Sequence, residues 1–184
     1  MKGKRSDARV RLRQAAVQLF RDRGFDGVTA AEIAAHAGVT ERTFFRYFPD
    51  KREVLFDGQA VLVEALTASI ADAPEDMGAL DVLFRAFRTV TPLLEGNRTF
   101  SKPRQEVISA TPALHERELT KLAALSDALA AALKERGVPD LEAALAARAG
   151  MAAFASATLA WLENEAPGLE DRLDQNERAL KNLF

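Results

Sequence analysis

Apolar residues recur every three to four positions along this chain, and no stretch alternates like a strand for more than a few residues. The pattern predicts an all-α protein of nine helices, with glycine and proline at the joints rather than inside the periodic runs. Val10, Ala16, Val17 and Phe20 share one side of a helix over about residues 6–23, which Gly24 ends. Thr29-Ala-Ala-Glu32 has the spacing of a capping box and opens a short helix to about residue 37. Gly38-Val39 makes a turn, Thr40 caps a third helix through Phe48, and Pro49 breaks it. Asp50-Lys-Arg-Glu53 repeats the box spacing and predicts a long fourth helix with Leu55, Leu62, Leu66 and Ile70 on one side.

Five further helices follow. Leu80, Leu83, Phe84, Phe87, Val90 and Leu94 line the fifth, and Glu106 to Ile108 sit in a short sixth. Thr111-Pro112 starts the seventh, which Gly137 ends. Pro139-Asp140 starts the eighth, and the ninth, after Pro167, carries Leu169, Leu173, Leu180 and Phe184 as one stripe.

Composition narrows the function. With 48% apolar and 28% charged residues in 184, the chain has the balance of a soluble globular protein. It has no cysteine, which excludes disulfides, thiolate metal sites and thiol nucleophiles. Its two histidines, His36 and His115, lack metal-ligand spacing, and there is no GxSxG elbow or phosphate-cradling glycine loop. The expectation is a protein that is not an enzyme and that holds no metal or cofactor. No apolar run follows the basic N-terminus, and the longest uncharged run, 149–162, is too short to cross a bilayer. That reads as a cytoplasmic protein with no membrane partner.

The formal charge of −2 hides an asymmetry. Residues 1–56 hold 12 Lys/Arg against 7 Asp/Glu, a net of +5, which leaves −7 for the remainder. A basic third on an acidic body suggests that one part faces a polyanion. The change falls inside the predicted fourth helix and suggests two domains, 1–52 and 53–184.

The basic part contains the informative segment, residues 24–51. Two short helices joined by a glycine-containing turn form a helix-turn-helix. Ile33, Ala34, Phe44 and Phe48 face inward, Val39 plugs the turn, and Glu41, Arg42, Thr43, Phe45, Arg46 and Tyr47 remain outward. A DNA major groove admits one such helix.

This segment resembles the DNA-binding domain of the TetR family of bacterial transcriptional regulators. The resemblance is carried by Phe20, Gly24-Phe25, Thr29, Ile33-Ala34, Ala37-Gly38-Val39, Thr43, Phe48-Pro-Asp-Lys51 and Leu55, about a third of the chain. It implies phosphate contacts by Thr29, Thr40, Tyr47 and Lys51, and base readout by Arg42 and Thr43, with Arg46 on base or phosphate. Lys2, Lys4 and Arg5 are candidates for an arm along the DNA. The family commonly has tyrosine where this chain has Phe45, so the phosphate-reaching hydroxyl is missing there and a thymine methyl or sugar is the remaining contact.

The resemblance also implies a ligand-responsive body. The expected function is a repressor that binds a palindromic DNA operator as a homodimer and is released by a small-molecule effector, acting at the bacterial nucleoid. Phe84, Phe87, Phe100, Ile108, Leu122 and Trp161 are candidate walls of an apolar pocket, with Arg88, Arg104, His115 and Thr158 as polar groups. The same stripes also suit ordinary core packing. In this family the last two helices of each subunit form a dimer bundle. Ala146, Gly150, Ala153 and Ala157, small residues at helical spacing, with Leu169, Leu173 and Leu180, either build that contact or pack internally.

Overall fold

The computed structural model describes residues 2–183, with the backbone alone for residues 2–7. The side chains of Lys2, Lys4 and Arg5, and Phe184 of the last predicted stripe, lie outside the described residues. Nine α-helices are described: α1 Lys2–Arg23, α2 Ala30–His36, α3 Glu41–Tyr47, α4 Gln59–Ala71, α5 Ala79–Gly96, α6 Arg98–Ala110, α7 Pro112–Glu135, α8 Asp140–Glu163 and α9 Leu169–Lys181. A single 3-10 turn, Glu53–Leu55, falls between α3 and α4, and no strand occurs among the described residues.

The long fourth helix expected from residue 53 is interrupted. Asp50 Oδ1 accepts hydrogen bonds from the amides of Arg52 (2.7 Å) and Glu53 (3.1 Å), so half of the expected box forms. The reciprocal half is missing, because the Glu53 carboxylate pairs with Arg117 at 2.7 Å. The helix then stops after one turn, and Gly58 adopts a φ of +96°, a conformation open to glycine and strained for other residues.

Packing groups the residues into two units: 1–58 with 99–118, and 59–98 with 119–184. The first unit is cored by Leu12, Leu19 and Phe20 of α1, Ile33 of α2, Phe44 of α3 and Leu55, joined by Val107 and Ile108 of α6 and Leu114 of α7. A sequence division at residue 52 therefore separates segments that share one apolar core.

The second unit is a helical layer around α5, whose Leu83, Phe84 and Phe87 are fully buried. Phe87 stacks on Phe154 of α8 with ring centroids 4.5 Å apart. Arg136, just after α7, donates to the carbonyls of Ile70 (3.1 Å), Ala73 (2.7 Å) and Pro74 (2.6 Å), tying the end of α4 and the turn that follows it to α7.

The small-residue stripe of α8 faces this core. Ala146 and Gly150 are buried, Ala157 is completely so, and Ala153 is half-buried against the same cluster. Leu169 and Leu173 of α9 are fully buried and Leu180 is partly buried there. These seven residues, read from sequence as either a dimer contact or internal packing, line the core of the second unit. The reason is close packing: a Cβ on Gly150 would lie 3.0 Å from Leu83 Cδ1 and 3.6 Å from Phe87 Cε2. Gly150→Val is expected to lower stability by about 1–3 kcal/mol through overpacking, measured as a lower denaturant midpoint.

The opposite face of α8 carries exposed leucines around the exposed Arg148. Leu141, Leu145 and Leu159 are 73%, 58% and 44% exposed, and the small residues Ala152 and Ser156 are exposed between Leu145 and Leu159.

Candidate nucleic-acid interface

The helix-turn-helix is closed at each joint by groups read directly from the sequence. Thr29 Oγ1 accepts from the Glu32 amide at 3.2 Å, and Glu32 Oε2 accepts from the Thr29 amide at 2.8 Å and from its hydroxyl at 2.9 Å. The capping box is complete. Gly38, at φ +68°, turns the chain so that the Val39 amide reaches the Ala34 carbonyl at 2.9 Å. Thr40 caps α3 by accepting from the Thr43 amide at 3.3 Å, and the two threonine hydroxyls lie 3.0 Å apart. Arg11 donates to the Ala37 carbonyl at 3.1 Å, adding a cation at the C-terminal end of α2.

Hydrogen bonds from the Thr29 amide and hydroxyl hold the Glu32 carboxyl below the usual carboxylate range, with Arg23 adding to the effect. Because the folded-state pKa is depressed, the capping contribution is complete at neutral pH and is lost as pH falls through the carboxylate range. Glu32→Gln is therefore expected to flatten the acid-side loss of α2 stability. Amide exchange over residues 30–36 between pH 6 and 3 reads this.

The inward residues of the unit are Ile33, Ala34, Phe44 and Phe48, each 2% exposed or less. On α3, Glu41, Arg42, Phe45 and Arg46 are exposed, while Thr43 and Tyr47 are half-buried. The Arg46 guanidinium lies over the Tyr47 ring at 5.1 Å from its centroid. Thr29 and Thr40 are exposed at the caps.

Lys51 has a second task. Its ammonium donates to the carbonyls of Phe25 (2.8 Å) and Val28 (2.9 Å) and sits 4.2 Å from the Phe25 ring centroid. It therefore fastens the loop leading into Thr29, leaving one of its three donors for another acceptor.

Around this reading surface the structure reveals braces absent from the sequence reading. Arg9 pairs with Asp57, and Arg13 lies over the Phe100 ring at 4.1 Å. Arg104 donates to the Leu55 carbonyl at 2.6 Å and pairs with Glu118 at 3.2 Å, while Arg117 holds Glu53. Burial pulls the Arg104 pKa down and Glu118 opposes that shift. Partners 14 to 87 residues apart leave no local sequence signal.

The ten candidate ligand residues are distributed between the two units. Phe100, Arg104, Ile108 and His115 belong to the first, where Ile108 is core, Arg104 is a brace and His115 is exposed. Phe84, Phe87, Arg88, Leu122, Thr158 and Trp161 belong to the second. There Arg88 is held by Asp174 at 2.6 Å and by Glu177, and the buried Thr158 hydroxyl has no hydrogen-bond partner.

The comparisons match this geometry. Residues 12–57 match the family model described as bacterial regulatory proteins, tetR family, and residues 77–184 match that of the MftR C-terminal domain. The HTH-type transcriptional regulator Mb2274c of Mycobacterium bovis is 32% identical over 97 residues, covering 53% of this chain and half of that protein. MftR of Mycobacterium tuberculosis, a transcriptional regulator named for mycofactocin biosynthesis, is 24% identical over 92% of this chain and 87% of its own. FadR of Thermus thermophilus, a TetR-family transcriptional repressor solved with lauroyl-CoA, superposes with a TM-score of 0.57. It is 29% identical, over 94% of this chain and 93% of its own. With its helix-turn-helix inside one match and more than half its length inside the other, the chain belongs to the TetR family of bacterial regulatory proteins.

Proposed function

We propose that the chain is a transcriptional regulator that binds a palindromic DNA operator as a homodimer and is released from it by a small-molecule effector, with repression as its output in the bacterial cytoplasm. The observation that carries this reading is the exposed face of α3, where Arg42, Phe45 and Arg46 stand on a helix fixed by two capped joints and a glycine turn. Arg42 and Thr43 read bases, Arg46 contacts base or phosphate, and Thr29, Thr40, Tyr47 and Lys51 contact phosphates. Residues 1–52 supply this reading surface, and residues 53–184 supply sensing and pairing.

Pairing uses the outward face of α8, with Leu141, Leu145 and Leu159, since the inward stripe is already filled. The FadR relative was solved with lauroyl-CoA, which supports a small-molecule effector for this chain. Phe84, Phe87, Leu122, Trp161 and the unpartnered Thr158 hydroxyl are its candidate contacts in the second unit. An effector that favours one arrangement of the dimer over another would release DNA, whereas one that binds both arrangements equally would not.

The test is selection of bound duplexes from random DNA, followed by titration at fixed salt. A two-fold-symmetric consensus with half-site centres about 34–36 Å apart is expected. Binding with no sequence preference would overturn the operator reading.

A further inference from the structure

Phe45 is the exception on the reading face of α3. It is 50% exposed, and its ring meets Phe44 only edge-on, with centroids 5.4 Å apart. Its exposed neighbours on the helix are charged: Glu41, Arg42 and Arg46. The unit's core is complete without it, since Phe44 and Phe48 already fill the inward side. An exposed phenyl group among charges gains by burial only where its partner offers an apolar surface. On the floor of the major groove, the apolar group is the methyl at C5 of thymine.

We infer that Phe45 is a specificity-determining residue that recognises a 5-methylpyrimidine in each half-site. This rests on the operator reading above and deepens it. Phe45 follows Arg42 by three residues, which places the two side chains on the same helical face about 4.5 Å apart along the axis. Successive bases on a strand are about 3.4 Å apart. The methyl read by Phe45 therefore lies within one or two base pairs of the guanine read by Arg42. Cytosine methylated at C5 presents the same group, so the side chain distinguishes methylated from unmethylated cytosine by the same contact. The phenol oxygen that a tyrosine would present here is absent, and a sugar contact, the other option for the phenyl group, would leave thymine and uracil indistinguishable.

The experiment uses the 184-residue chain and its selected duplex, with thymine replaced by uracil one position at a time, read by fluorescence anisotropy at fixed salt. The expected result is a loss of about fourfold per half-site at a single position near the guanine, the factor for one methyl group returned to water. Replacement in both half-sites multiplies to about fifteenfold. At that position, 5-methylcytosine is expected to bind more tightly than cytosine by a similar factor. Phe45→Ala, with an unchanged thermal midpoint, is expected to bind thymine and uracil duplexes equally. Equal affinity of the unaltered protein for thymine and uracil at every position would overturn the inference while leaving the operator reading intact. A thymine preference that survives in Phe45→Ala would also overturn it. Failure to select any duplex would remove the operator reading and this inference together.

Discussion

Arg42→Ala is expected to erase the preference for one base pair in each half-site while leaving the fold unchanged. The side chain is exposed and, among the described residues, makes no ion pair, unlike Arg23, Arg52 or Arg117, which are held by carboxylates. Its removal therefore costs the isolated protein little, within about 0.5 kcal/mol for an exposed position of this kind. On DNA the loss is larger. A bidentate arginine–guanine contact discriminates against the wrong base by about 1–3 kcal/mol. Two half-sites double this to about 2–6 kcal/mol, or roughly thirtyfold to twenty-thousandfold in affinity for the selected operator. The diagnostic measurement is a set of duplexes altered one base pair at a time, titrated with both proteins at fixed salt. The unaltered protein should prefer guanine at one position per half-site, and the variant should be indifferent there while keeping its other preferences. If the variant instead weakens binding to every duplex equally and lowers the salt slope by about 0.9 per site, Arg42 contacts phosphate and base readout lies elsewhere on α3.

What could be read from sequence depended on whether a residue's partner was near it in the chain. The α2 box closes over three residues, and the Gly38 turn over five, so both were visible from spacing. The same logic misled at Asp50–Glu53. The spacing was right, but Glu53 is claimed by Arg117, 64 residues away, and Gly58 ends what the box would have started. Helical periodicity likewise placed Ile108 and Phe100 on apolar faces without saying which core those faces join. Arg104 and Lys51, read from sequence as a pocket group and a phosphate contact, both spend hydrogen bonds on carbonyls of the reading unit. The hardest case was α8, because a helix apolar on both sides gives periodicity no way to choose its inward face. Its orientation is set by fit: alanines and a glycine go where Leu83 and Phe87 press closest, and leucines go where there is room.

That orientation makes Leu145→Glu the sharpest test of the assembly. The expected outcome is a folded monomer of 20.1 kDa where the unaltered chain sediments as a dimer. Leu145 is 58% exposed, between Leu141 at 73% and the exposed Ala152, so the substitution disturbs no internal packing and the thermal unfolding of the subunit should survive. In a two-fold interface the same patch is used by both subunits, so one substitution introduces two carboxylates. Each replaces a leucine whose burial contributes about 1.5–3 kcal/mol, and each is costly to take out of water even with the exposed Arg148 one turn away. A monomer presents a single reading head, and losing the second forfeits the gain of linked binding, about 10²–10⁴ in operator affinity. Sedimentation at micromolar concentration and operator titration should therefore fail together. Gly150→Val separates the alternatives, because it strains the inward face and should lower stability without selectively dissociating the pair. A dimer that persists in Leu145→Glu with full operator affinity would place the contact on another surface.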